Sequence, residues 1–118
     1  NVLIASPIYF SELTGKLLDL GSRLQTYFSA KYFRKETPVA KAKKAGVLLL
    51  GGGMGAMDKA FDTAKILLHD INTDHIFPLI SYHGTDNAVV SQDPEILRQL
   101  EELCRFFNGE APHSQTLE

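Results

Sequence analysis

The chain has no tryptophan, two methionines and one cysteine, Cys104, in 118 residues. A single cysteine excludes an intrachain disulfide and any cysteine-based metal cluster. It fits a reducing, cytoplasmic setting. No apolar run approaches the ~20 residues that a membrane-spanning helix needs. The N-terminus lacks a basic start and a long apolar segment, so no leader peptide is expected. No sign of charge dominates: the formal net charge is −2, which gives no global basic field for nucleic acid. Internal repeats and low-complexity segments are also missing. What remains is an ordinary globular composition, 44% hydrophobic and 22% charged, with material for one core.

Within that composition the apolar residues are sorted. Val2-Leu-Ile-Ala-Ser6 is apolar without alternation and predicts a strand buried on both faces. Leu17, Leu20, Leu24 and Phe28, with Leu13 and Leu18 beside them, predict one helix over 13–29 that Ser11 or Thr14 can cap. Six of the twelve Lys and Arg fall between Lys31 and Lys44, around Pro38, and predict an irregular connection over 30–46. This basic stretch reads first as a solvated loop, the alternative being a phosphate contact, such as one to a nicotinamide dinucleotide, or a contact to nucleic acid. Ala45–Leu50 predicts a second buried strand, and a helix follows over 56–72 with Ala60, Ala64, Leu67, Leu68 and Ile71 on one face. His75–Ser81 predicts a third strand, placed at an edge or bulged by Pro78, which has no N–H to donate. The last helix has a capping Asp93, Pro94 at its first position and Gly109 past its end. Its expected buried stripe is Ile96, Leu97, Leu100, Leu103, Cys104 and Phe107. Residues 1–109 thus read as one domain and 110–118 as a frayed tail, in which Leu117-Glu118 resembles a cloning remnant.

The order β-α-β-α-β-α implies a parallel sheet with helices on its faces. Ligands of such sheets bind outside the carboxyl ends of the strands, where three loops converge. The first carries Ser6, Pro7, Ile8, Tyr9, Phe10, Ser11 and Thr14. Its aromatics either offer flat faces to a planar ligand or staple the next helix to the sheet. The second is Gly51-Gly52-Gly53-Met54-Gly55, where glycine lets a ligand approach the backbone and free N–H groups favour an anionic or carbonyl partner. It is neither a P-loop nor a sound dinucleotide fingerprint, since no Gly-Lys-Ser/Thr follows and position 56 is Ala. The third loop holds Tyr82, His83, Thr85, Asp86 and Asn87. His83 reads as a polar loop residue, and His69 and His75 as exposed. A hydrolase or transferase using His83 and Asp86 is a competing expectation, as is a binding module without a cofactor.

Ser6-Pro-Ile-Tyr-Phe-Ser-Glu-Leu-Thr-Gly15 resembles the SP-x-Y…TG loop of the flavodoxin-like NADPH-dependent FMN reductases and related iron-sulfur flavoproteins. Leu17, Leu18 and Ser22-Arg23 resemble that family's following helix, and Gly51–Gly55 its next strand-to-helix loop. The resemblance covers residues 2–108. It implies a three-layer flavodoxin-like α/β fold of which this chain holds the last three β-α units. The strand and loop that hold the FMN phosphate in that family would then lie outside the chain. It further implies FMN as cofactor, NADPH as hydride donor, and a quinone, free flavin or other acceptor. Tyr9 or Phe10 would line the ring, and backbone N–H groups near Ile8–Ser11 and Gly52–Met54 would face its carbonyl and ring-nitrogen edge. A bare, apolar edge at residues 2–6 leads to the expectation of a homo-oligomer.

Overall fold

The computed structural model describes residues 1–53 and 55–110; Met54 and residues 111–118, which include most of the expected tail, lie outside the described residues. β1 (Val2–Pro7) pairs along its whole length with β2 (Lys43–Leu50), in parallel. On the other side of β2 lie β3 (Thr73–Ile76) and β4 (Ile80–Tyr82), both parallel to it. These two are one strand path interrupted at Pro78. Phe77 still donates to the Ala45 carbonyl across 2.8 Å, and the ladder then lapses until Ile80. The edge position and interruption expected from Pro78 are both present, and the break divides the expected 75–81 strand in two.

Helices cover both faces of the sheet. α1 (Gly15–Arg23), α2 (Gln25–Tyr32) and α3 (Asp58–Asp70) follow the first two strands, and α4 (Pro94–Phe107) closes the described chain. On one face Ile4, Val47 and Leu49 pack against Leu13 and the Ala60–Ala64–Leu68 stripe of α3. On the other, Ile80 and Phe77 pack against Ile96 and Leu103 of α4, with Leu48 and Tyr82 at the margin. Each fully buried aliphatic side chain in these layers contributes about 1.5–3 kcal/mol. A Cβ on Gly46 would lie 2.7 Å from Cδ1 of Leu103, so the bare α-carbon there lets α4 sit close to β2.

Several expectations change. The single helix over 13–29 is two helices. Leu24 donates to the Gly21 carbonyl and accepts from Tyr27, an i→i+3 pattern that tightens one turn and bends the chain. Gly21, a poor helix former, sits at this bend because its α-carbon faces Leu67 of α3. α2 then runs on to Tyr32, so the expected irregular connection begins later than 30 and ends at Lys43, two residues before the expected strand. α3 is shorter than 56–72. β1 is not buried on both faces: Ile4 and Ser6 are covered, while Leu3, Ala5 and Pro7 are exposed. No helix among the described residues lies over that second face of β1. For the same reason Leu97 and Cys104 of α4 are exposed rather than buried. His75 is half-buried, with Nδ1 enclosed and without a hydrogen-bond partner among the described residues.

The start of α4 follows the sequence closely. Asp93 Oδ1 accepts from the N–H of Glu95 at 2.9 Å and of Ile96 at 3.0 Å, with Pro94 at the first position. Gly109, past the end, has φ +71°, the left-handed region that favours glycine. Replacing Asp93 by Ala should cost about 1 kcal/mol, read as a lower urea midpoint with an unchanged slope. An unchanged midpoint would show that α4 does not depend on this cap.

Candidate functional site

The carboxyl ends of β1, β2 and β4 deliver three loops to one edge. The ladder continues into them: Ile8 donates to the Leu50 carbonyl at 2.8 Å, Gly51 to Tyr82 at 2.8 Å, and Thr85 to Gly51 at 3.3 Å. The loops therefore lie side by side in the order of their strands.

The first loop is a tight reverse turn. Tyr9 and Glu12 exchange two backbone hydrogen bonds, of 3.2 and 3.0 Å, around Phe10 and Ser11. Phe10 has φ +54° and Ser11 φ +57°. Positive φ at both central residues marks a type I′ turn, which favours Asn-Gly and disfavours a bulky side chain. The strained turn is held from outside. Glu12 accepts from the Leu13 amide at 2.9 Å and from Thr63 Oγ1 of α3 at 3.1 Å, with Lys59 Nζ 3.7 Å away. Ser6, buried, donates to the Pro7 carbonyl at 2.7 Å and accepts from the Thr14 amide at 3.3 Å. The result presents Phe10 at 98% exposure and Tyr9 at 61%. Tyr9 and Phe10 therefore do not staple the next helix to the sheet: Ile8 and Leu13 join the core while both aromatics face outward.

Across from this turn lies the glycine loop. Among the described residues nothing lies within 4 Å of a Cβ on Gly53, and a Cβ on Gly55 would come no nearer than 3.9 Å to Ser11 Oγ. Among the described residues, the amides of Phe10, Ser11, Gly52, Gly53 and Gly55 donate to no acceptor. Gly52 differs. A Cβ there would collide with the Asp86 carboxylate, which lies directly over its α-carbon. The third loop thus reaches back over the second. Asp58, in the first turn of α3, adds another negative charge near this edge and disfavours an anion at that helix start.

The site therefore brings together Ser6, Pro7, Ile8, Tyr9, Phe10, Ser11, Thr14, Gly51, Gly52, Gly53 and Gly55 along one sheet edge, while Met54 lies outside the described residues. Ser6 and Thr14 serve the turn's geometry: the Ser6 hydroxyl is engaged, and Thr14 stands at the N-cap of α1 without a capping side-chain bond. Two contributors were not foreseen in these roles. Glu12 clamps the turn to a residue 51 positions away, a pairing no local pattern signals. Asp86 covers the glycine loop instead of pairing with His83, to which no hydrogen bond connects it among the described residues. No group of three or more His, Cys, Asp or Glu able to hold a metal occurs among the described residues.

A groove of about 580 Å³ lies elsewhere, lined by Phe28, Lys65, Ile66, His69, Asp70 and Thr73 among others. Burial pushes the Asp70 carboxyl above its usual range, with His69 and Lys31 pulling the other way. This groove runs along the whole of β3, from Thr73 to Ile76, and along α3, beside the amino half of the third strand path rather than at the carboxyl edge where parallel sheets place ligands, and its Lys65 is paired with Asp62 at 3.3 Å.

The class is fixed by these observations: a mixed α/β protein with an all-parallel sheet, helices on both faces and three loops gathered at the carboxyl edge. No protein-family model, curated protein or solved structure matches the chain. No helix among the described residues is long and apolar enough to cross a membrane.

The strain in the aromatic turn is directly measurable. The double variant Phe10→Asn/Ser11→Gly keeps positive φ at both positions with residues that adopt it readily, and should raise stability by about 1–2 kcal/mol in urea unfolding. A loss of stability would show that the two native side chains hold the turn together.

Proposed function

We propose that this edge binds the ring system of a flavin, and that the protein is a flavodoxin-like, FMN-dependent oxidoreductase using NADPH. The observation that carries the reading is the aromatic turn. A type I′ turn built on Phe10 and Ser11 is less stable than its Asn-Gly counterpart, and its fully exposed ring contributes nothing to the core. Strain of this kind persists where function uses the side chain it presents. The resemblance of Ser6–Gly15 to the FMN reductase loop points the same way.

The residues fit the ring end of the cofactor. Phe10 and Tyr9 offer aromatic faces for stacking, and the unengaged amides of the two loops match the ring's carbonyl and nitrogen acceptors. Donors aimed there favour the negative charge that reduction places on the ring. Bound flavin supplies the hydride and electron chemistry, so no side-chain acid or base is required. The described residues do not fit the phosphate. The glycine loop leads to a helix whose first turn carries Asp58, and Asp86 shields Gly52. A ligand reaching Gly52 must displace the Asp86 side chain.

Three linked outcomes test this. Riboflavin and FMN should quench on titration with affinities within about threefold of each other, because only the ring is recognised. Asp86→Ala should tighten both by about threefold to tenfold, by removing a carboxylate from the ring's path. Phe10→Asn/Ser11→Gly should weaken both while folding more stably. Absence of quenching by either flavin contradicts the reading. A large preference for FMN would place a phosphate site that the described residues do not form.

A further inference from the structure

The basic stretch before β2 has no part in the carboxyl edge. α2 ends and β2 begins at the amino end of the sheet, opposite the three loops. The core fixes this segment in place: Ala30 is buried beneath it, and Asn72, at the α3–β3 turn, donates from Nδ2 to the Ala40 carbonyl at 2.9 Å. Residues 31–43 hold five of the twelve Lys and Arg against one acid, Glu36, so four positive charges gather on a chain of net charge −2. Lys31, Arg34, Lys35 and Lys41 are exposed. Arg34 pairs with Glu36 at 3.4 Å, while no carboxylate among the described residues forms an ion pair with Lys31, Lys35, Lys41 or Lys43.

An aromatic knob stands among these cations. Phe33 is 76% exposed and Tyr32 43%. Phe28 joins them, its ring centroid 4.7 Å from that of Tyr32 and 6.2 Å from that of Phe33, and Lys31 Nζ lies 5.5 Å from the Tyr32 centroid. Lys35 adds an independent sign. Its φ is +56°, in the turn that lets the Glu36 amide donate to the Ala30 carbonyl at 2.9 Å. Glycine is the residue that left-handed helix ends favour, so a lysine holds this place against backbone preference. On the α3 side Asp62 and Asp70 border the knob, but Lys65 pairs with Asp62 at 3.3 Å and burial opposes the charge on Asp70.

We propose that this amino-end face is a peripheral docking surface for an anionic phospholipid membrane. Exposed rings flanked by cations are the make-up of an interfacial anchor: the rings enter the headgroup boundary, and the lysines and Arg34 meet the lipid anions. Single-stranded nucleic acid fits this face less well. It takes aromatic platforms placed for successive bases, and here the three rings form one cluster. Docking by the amino end leaves the carboxyl edge turned to water and open to its ligand.

Co-sedimentation of the full chain with vesicles tests this. The chain should bind vesicles of phosphatidylserine and phosphatidylcholine in equal amounts, leave pure phosphatidylcholine vesicles unbound, and be released by salt. Lys35→Gly should weaken binding about fivefold without loss of stability, and Lys31→Gln/Lys41→Gln about twentyfold, since each cation near an anionic surface contributes about fivefold. Phe33→Ser should weaken binding with the fold retained by circular dichroism. Lys16→Gln, exposed at the start of α1, should bind as the parent chain does. Failure to bind the mixed vesicles overturns the proposal, as does equal binding to both kinds. So does binding undiminished in the lysine variants or in Phe33→Ser, or weakened as much by Lys16→Gln. Binding of an oligouridylate without binding of vesicles assigns the face to nucleic acid and overturns it too. If Phe33→Ser unfolds, the exposed lysine variants decide.

Discussion

The structure depends on the pairing of β2 with strands on both sides. It is the one described strand with two neighbours, and it holds β1 over six paired positions and the broken third path over the rest. Its side chains feed both cores: Val47 and Leu49 under α3, Leu48 toward α4. Parallel strands are buried on both faces when helices cover them, and β2 meets that condition. The site inherits its geometry from the same strand. Gly51 continues the ladder to Tyr82, Leu50 accepts from Ile8, and so the three loops are set beside one another before any side chain is considered.

Away from β2 the constraint weakens. β1 is covered on one face and paired on one edge. Pro78 breaks the third path, but Phe77 and Ile80 keep its ends on β2. Of the four described non-glycine residues with positive φ, the two adjacent ones, Phe10 and Ser11, lie where function is proposed, Lys35 and Asn72 lying elsewhere, and their turn is held by Glu12 through α3 rather than by local turn chemistry. The aromatic turn is thus poised by the core beneath it, a rigid mount for side chains that contribute nothing to that core.

Much of this was legible in the sequence. Helix and strand order follow from periodicity, and the Asp93-Pro94 start and Gly109 end of α4 follow from backbone chemistry that acts within a few residues. The break at Leu24 was not legible, because Leu17, Leu20, Leu24 and Phe28 keep helical spacing across it. Only the approach of Gly21 to Leu67 explains the bend there. The exposure of Leu3, Leu97 and Cys104 was hidden for a similar reason. An apolar residue does not announce whether a neighbour exists to cover it. At the site, the glycine and aromatic loops stood out by composition, while the Glu12 clamp and the Asp86 cover arise from contacts across the fold. The positive φ at Phe10 and Ser11 is invisible in sequence, since neither residue is one that turns of this type favour.

The account stands on the carboxyl edge being the place where a planar ring is received. Backbone amide NMR during addition of riboflavin tests this most directly. The prediction is that shifts concentrate at Phe10, Ser11, Gly52, Gly53 and Gly55, with Asp86 following as its side chain leaves Gly52, while the amides of β2 at Ala45–Val47 stay fixed. Shifts centred instead on His69, Asp70 and Thr73, or none at saturating riboflavin, would contradict it.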